Sequence, residues 1–234
     1  PMPGKWLSSA MSTLMKRITA ELKERNLPLV VGCEGGAAET FIDSMRFNDL
    51  RFNVGMFAGK PIPLYAYLYH ERLFNFMGNQ VCSGTLINNL ETPESLLFRI
   101  AYSFAAGDIP TLVLKDKAEV HWAWGTKWEI PAPEQESVYK LLRAISEFKK
   151  SENGIFLTRG RMIKEIPVQC KNEFPVKLQS GDILNYPPVL SSRWQLPDGS
   201  EMQVLINYTK ELQNVELKDL EKIQIATLTI KAVP

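Results

Sequence analysis

Acidic side chains and a histidine follow short apolar runs of this chain, at positions suited to acid–base chemistry. Three runs are each followed by such residues: Leu27–Cys33 by Glu34, Pro61–Tyr69 by His70 and Glu71, and Ile109–Leu114 by Asp116. Short runs of apolar, β-branched or aromatic residues predict buried parallel strands. In a β/α barrel the functional side chains lie at the carboxyl ends of such strands, so we expect Glu34, His70 and Asp116 at one common edge.

Paired carboxylates surrounded by aromatic side chains are typical of glycoside hydrolysis. One carboxylic acid protonates the leaving oxygen, while a second carboxylate attacks the anomeric carbon or activates water. Glu34 is the predicted catalytic carboxylate, because it ends a buried apolar run and precedes two glycines that let a sugar approach closely. The predicted substrate-binding residues are Tyr69, His70, Glu71, Glu39, Asp116 and Trp124.

A structural role is the alternative for several of these residues. Glu34 is also placed to cap a following helix, and Glu39 sits where a solvated carboxylate is common. His70 is equally suited to be a hydrogen-bonded structural imidazole, and Tyr69 to line a core. Trp124, with its neighbour Trp122, would either stack on a sugar or fill the gap between two domains.

Other classes of function are not supported by the sequence. Position 74 is Phe74, so His70 and Glu71 do not begin an HExxH zinc motif, and no nucleotide-binding loop or nucleophile elbow occurs. Lys and Arg total 27 against 26 Asp and Glu, which gives a net charge of +1. This balance provides no excess of positive charge for binding nucleic acid. No apolar run reaches the ~18 residues of a membrane span. The 3 cysteines form no CxxC pair, so we expect no zinc ribbon or disulfide framework, and neither metal nor cofactor is predicted.

Helical periodicity alternates with the apolar runs in the first two thirds of the chain. It predicts helices over Lys5–Asn26, from an N-cap at Thr92 to Gly107, and from Pro133 to Lys150. Strands that alternate with helices are typical of parallel α/β architecture. Residues 1–151 are therefore predicted to be α/β.

After residue 151 the helical pattern gives way to short β-rich runs separated by turn signals. The predicted strands are 155–158, 163–168, 174–178, 189–194, 202–207, 215–217 and 223–230. Their near-regular spacing predicts an antiparallel β-sandwich over residues 152–234, packed on the helix that ends at Lys150.

Three β/α units do not close a barrel, and so small a parallel sheet leaves faces and edges uncovered. A (β/α)8 barrel takes ~250 residues, whereas about 150 precede the predicted sandwich. The economical interpretation is that this chain contains the last three units of such a barrel and that the earlier strands lie upstream of it. A compact, self-sufficient α/β layer on a sandwich is the alternative.

The sequence resembles the C-terminal half of a bacterial family of glycoside-hydrolase-like proteins, the DUF6259-type proteins. The resemblance lies in Glu34–Glu39, Ile62–Glu71, Asn75–Asn79 and Ala105–Asp108, and in the later Phe156–Gly160, Trp194 with Asp198 and Gly199, and Leu205–Thr209. It implies a (β/α)8 catalytic domain followed by a β-sandwich, an oligosaccharide or polysaccharide substrate, and a missing N-terminal part of the same protein. It also implies a periplasmic or extracellular location.

The sequence thus leads to two expectations about function. The first is a glycosidase that uses Glu34 as acid/base or nucleophile and is inactive as this piece alone. The second is a non-catalytic carbohydrate-binding or structural module, in which the aromatic side chains hold sugar and the carboxylates only hydrogen-bond it.

Overall fold

The computed structural model describes residues 5–34, 42, 44–49, 61–76, 87–88, 90–111 and 132–218. The helices are α1 (Lys5–Glu24), α2 (Leu64–Tyr69), α3 (Ser95–Ala105), α4 (Ala132–Lys150) and α5 (Phe156–Arg159), with a 3-10 helix at Glu152–Ile155. The first strands are β1 (Gly32–Glu34), β2 (Phe47–Asp49) and β3 (Phe74–Asn75). The later strands are β4 (Arg161–Ile163), β5 (Val168–Cys170), β6 (Phe174–Lys177), β7 (Ile183–Tyr186), β8 (Val189–Gln195), β9 (Glu201–Asn207) and β10 (Val215–Leu217).

A parallel sheet forms in the first half of the chain. Its order is β1–β2–β3, so each strand pairs with the next one along the sequence. A parallel bridge from Phe76 to Ile109 continues the same order. The first half of the chain thus combines helices with a parallel sheet, which agrees with the predicted α/β class, although the strands are not those predicted. No closed barrel is present within the described residues.

Two of the strands were misplaced by the sequence prediction. The run Pro61–Tyr69 is not a strand: it contains helix α2, in which Tyr65 and Tyr69 lie one turn apart with ring centroids at 5.2 Å. The run Leu27–Cys33 is not a buried strand either, because β1 begins only at Gly32, and Leu29 and Val30 are more than 60% exposed. The strands that fill the sheet instead, β2 and β3, are too short to show periodicity.

The long helices α1 and α4 agree with the prediction. Helix α1 ends just before Asn26, whose φ of +52° is the left-handed conformation that terminates helices. Helix α4 buries Val138, Leu141 and Ile145, the predicted apolar stripe.

The predicted start of α3 is wrong. The hydroxyl of Thr92 donates to the carbonyl of Asn88 instead of capping the helix, and α3 begins at Ser95 without a side-chain cap. Its predicted end is confirmed, since Gly107 follows the helix with a φ of +84°.

The second half of the chain is built from antiparallel strands. The order β4–β8–β9 forms one sheet, and the pairs β6–β7 and β5–β10 form two smaller ones. The predicted strands at 174–178, 189–194, 202–207 and 215–217 are confirmed within one residue at each end. The predicted strand at 155–158 is wrong, since that segment is helical. The predicted strand at 163–168 is also wrong, because 164–167 form no strand and only its two ends belong to β4 and β5. Strand β7 was not predicted. The run 223–230 lies outside the described residues.

Helix α3 is the element around which the core forms. It contacts α4 and also the strands β8 and β9. The helix that packs on the antiparallel sheet is therefore mainly α3, whereas the sequence predicted that α4 would do so. Phe98 stacks on Tyr186 with ring centroids at 4.3 Å and meets Tyr208 edge-on at 5.5 Å. One hydrophobic core thus includes side chains from Ile87 to Tyr208.

Truncation in this core should destabilise the whole chain. Leu97 on α3 is 1% exposed, so Leu97→Ala is expected to lower the free energy of unfolding by about 2–5 kcal/mol. Leu212→Ala is the matched control, because Leu212 is 72% exposed and its truncation should cost under about 0.5 kcal/mol. Denaturant titration followed by circular dichroism measures both, and equal losses would contradict the central place of α3.

Candidate active site at the carboxyl edge of the parallel sheet

Two carboxylates end neighbouring strands of the parallel sheet. Glu34 is the last residue of β1 and Asp49 the last residue of β2. The two are direct partners in the register of the parallel pair, so they lie side by side at the carboxyl edge. Glu34 is exposed, whereas Asp49 is only 5% exposed.

The two carboxylates also belong to the same face of the sheet. Cys33 and Asn48 precede them, and the Sγ of Cys33 lies 3.1 Å from Oδ1 of Asn48, which places these two side chains on one face. Because side chains alternate along a strand, Glu34 and Asp49 belong to the opposite face. We call this opposite face the acidic face.

The acidic face also carries aromatic rings. Phe47 lies two residues before Asp49 on the same strand and therefore shares its face. Its ring stacks on that of Phe76 with centroids 5.0 Å apart. Phe47 is 36% exposed and Phe74, its register partner on β3, is 51% exposed. Carboxylates and accessible aromatic rings are thus combined on one surface.

A glycine allows β1 to approach β2 closely. A Cβ at Gly32 would lie 2.2 Å from the carbonyl oxygen of Phe47, well inside contact distance. Any other residue would push β1 away at the start of the pairing that aligns Glu34 with Asp49.

The predicted sugar contacts from the second run do not lie at this edge. Tyr69 ends helix α2, and His70 and Glu71 lie in the turn that leads into β3. They therefore precede a strand instead of following one, and they lie at the amino edge of the sheet. The prediction that placed His70 beside Glu34 is wrong, because it depended on the strand that is in fact α2. The remaining predicted site residues, Glu39, Asp116 and Trp124, lie outside the described residues.

His70 instead joins the parallel sheet region to the antiparallel sheets. Its Nδ1 lies 2.9 Å from the carbonyl oxygen of Gly160, which can only accept, so Nδ1 carries the proton. Its ring meets the buried ring of Trp194 edge-on at 4.5 Å. Burial lowers the pKa of His70, although backbone hydrogen bonds at Gly160 and Gly107 act in the opposite direction. These contacts support the second of the two roles considered for His70, that of a hydrogen-bonded structural imidazole.

A second polar cluster, which includes Asn75 on the face of the sheet opposite the acidic face, was not predicted. The Nδ2 of Asn75 donates to Oδ1 of Asp108 at 2.9 Å, and Nζ of Lys149 donates to the carbonyls of Gly107 and Asp108 at 3.0 and 2.5 Å. Burial raises the pKa of Asp108 to about 6, although the hydrogen bond from Asn75 and the positive charge of Lys149 both act to lower it. Burial also lowers the pKa of Lys149 to about 8 and raises that of Tyr102. No local sequence pattern links Asp108 to Lys149, because helix α4 brings them together over 41 residues.

A pocket of about 150 Å³ lies beside this cluster. Residues of α2 line it together with His70, Asn75, Tyr102 and Asp108. It is smaller than the ~300–1,000 Å³ of most ligand sites, and the carboxyl of Asp108 is already hydrogen-bonded to Asn75 and Ser103. The acidic face at the carboxyl ends of β1 and β2 is therefore the better candidate for an active site, since chemistry is usually found at the carboxyl ends of parallel strands.

The described part of the chain has neither a metal-binding cluster nor a membrane-spanning helix. Among its His, Cys, Asp and Glu side chains, no group of three or more is placed to hold a metal ion. None of its helices is both long and apolar enough to cross a lipid bilayer.

Comparison with known proteins gives no relative for this chain. No protein-family model, no curated protein and no solved structure matches it.

The buried carboxyl of Asp108 should leave a signature in the pH dependence of stability. Its pKa is raised from 3.8 to about 6, so the folded chain holds this proton more tightly than the unfolded chain. That contribution to stability is present below about pH 4 and is lost as the pH rises towards 6, at a cost on the order of 3 kcal/mol. Asp108→Asn should remove it.

Unfolding free energies of both proteins between pH 4 and 6.5 measure this effect. His70 contributes with the opposite sign, because its lowered pKa makes stability fall as the pH drops below 6.5. It is present in both proteins and cancels in their difference. The variant should gain stability relative to the parent as the pH rises, and parallel curves would contradict the assignment.

Proposed function

We propose that this chain carries part of the active site of a glycoside hydrolase that uses paired carboxylates. The observation that supports the proposal is the in-register placement of Glu34 and Asp49 at the carboxyl edge of a parallel sheet. A pair of carboxylates beside one sugar is what glycoside hydrolysis requires. Glu34 is the predicted catalytic carboxylate, and an oligosaccharide or polysaccharide is the proposed substrate.

The aromatic rings of the acidic face are the proposed sugar platform. Phe47 and Phe74 are both substantially exposed, which is unusual for phenylalanine in a parallel sheet. A pyranose ring has an apolar face of C–H groups that can lie on such rings. Stacking at Phe47, two residues from Asp49, would hold the anomeric carbon near the two carboxylates.

The catalytic domain is proposed to be a (β/α)8 barrel that residues 1–151 complete with its last units. Consecutive pairing of β1, β2, β3 and Ile109 is the strand order of such a barrel. Parallel sheets are normally covered on both faces, yet apolar side chains around this one are largely exposed. They include Leu29, Val30, Ile62, Leu64 and Leu68. Further β/α units would cover this surface, and the antiparallel region would be the appended β domain.

A carbohydrate-binding module without catalysis is the second candidate. The exposed Phe47 and Phe74 favour it, since aromatic rings alone can hold a sugar. The two candidates differ in what Glu34 does. As a catalytic group it is needed for turnover, whereas in a binding module it contributes only a hydrogen bond.

Replacement of Glu34 in the complete protein separates the two candidates. Glu34→Gln removes the titratable proton with little change of shape, and kcat on the best substrate should fall by about 10²–10⁴-fold. Glu216→Gln on β10, also exposed, is the control that should leave kcat unchanged. A fall below tenfold would contradict catalysis by Glu34. Sugar affinity that is unchanged by either variant, with no turnover by the parent protein, would favour the binding module.

A further inference from the structure

We infer that Asp49 is the catalytic nucleophile, that Glu34 is the acid/base, and that hydrolysis proceeds with retention of anomeric configuration. This inference rests on the proposed glycosidase function and adds to it the second carboxylate, its role and the stereochemistry. Asp49 was not among the residues that the sequence pointed to.

The register of the sheet fixes how far apart the backbones of the two carboxylate residues stand. Residues paired in register on neighbouring strands have backbones about 4.8 Å apart. Glu34 and Asp49 are such a pair, they belong to the same face, and they differ in length by one methylene. Retaining enzymes place their carboxyl groups about 5–5.5 Å apart, and inverting enzymes about 6.5–9.5 Å apart. The backbone spacing of this pair is closer to the shorter of these two separations than to the longer one.

The different surroundings of the two residues assign their roles. Asp49 is 5% exposed and lies on the central strand β2, between β1 and β3, so its short side chain has little freedom to move. A nucleophile must be held at one position against the anomeric carbon. Glu34 lies on the neighbouring strand and is exposed to solvent. An acid/base group must meet first the leaving group and then water, which suits the longer and accessible side chain.

The reaction then has two balanced steps. The carboxylate of Asp49 attacks the anomeric carbon while the bond to the aglycone oxygen breaks, and protonated Glu34 gives its proton to that oxygen. The product is a glycosyl ester on Asp49 with a free alcohol. In the second step Glu34 takes a proton from water, the water oxygen attacks the anomeric carbon, and the ester bond to Asp49 breaks. One water is consumed and both carboxyl groups return to their starting states.

The test uses the complete protein and a panel of 2,4-dinitrophenyl α- and β-glycosides of common hexoses and pentoses. The first readout needs no variant: proton NMR of the parent protein's product at early times shows its anomeric configuration. Retention is expected. An inverted product would overturn the inference while leaving the glycosidase function intact.

The second readout is chemical rescue by azide, which distinguishes the two roles. In Asp49→Gly, hydrolysis should fall by more than about a thousandfold. Azide should then restore turnover and give a glycosyl azide of inverted configuration, since it attacks from the face that Asp49 vacates. In Glu34→Gly, azide should give a glycosyl azide of retained configuration, because it attacks the ester on Asp49. Asp182→Asn, in the exposed turn between β6 and β7, is the control that should show neither effect.

Each other outcome contradicts a specific part of this account. Exchange of the two azide products between the variants would show that Glu34 is the nucleophile and Asp49 the acid/base. Near-parent hydrolysis by Asp49→Gly would exclude Asp49 from the reaction. Absence of turnover by the parent protein on every glycoside of the panel would overturn the glycosidase function itself, and this inference with it.

Discussion

The turn after helix α3 is the constraint on which the arrangement of both halves depends. Gly107 has a φ of +84°, and a Cβ there would lie 2.4 Å from Nε2 of His70 and 2.9 Å from Cη2 of Trp194. Only glycine combines this backbone conformation with so close an approach. The carbonyl of Gly107 also accepts a hydrogen bond from Lys149 at the end of α4. Gly107 thus contacts the end of α4, the turn before β3 and the antiparallel strand β8.

The two faces of the parallel sheet differ in character. On the face opposite the acidic face, Asn75 donates to Asp108, and Lys149 donates to the turn after α3, so these polar groups satisfy one another's hydrogen bonds. His70, in the turn before β3, donates to the carbonyl of Gly160. Such closed hydrogen-bond networks stabilise a fold and leave little for a substrate. On the acidic face, Glu34 is exposed beside the buried Asp49.

Sequence patterns predicted the elements that are long enough to repeat. The apolar stripe of α4 and the alternation along β8 and β9 extend over seven residues or more, and these elements form as expected. Leu64–Tyr69 misled the prediction, because aromatic and apolar residues occupy both faces of a single short helix. Strand β2 is three residues long and includes a fully buried Asn48, so no local pattern could have revealed it. Glu34 was identified as a strand end from the apolar residues before it, whereas Asp49 became visible only through the pairing of β1 with β2.

Covalent trapping tests the proposed catalytic pairing of Glu34 with Asp49 most directly. A 2-deoxy-2-fluoro sugar with a dinitrophenyl leaving group, in the configuration that the complete protein hydrolyses, slows the second step more than the first. The covalent ester should therefore accumulate. Mass spectrometry of the intact protein and of its peptides should find one added fluorosugar, attached to Asp49. A label on any other carboxylate, or continued turnover with no covalent adduct, would contradict the account.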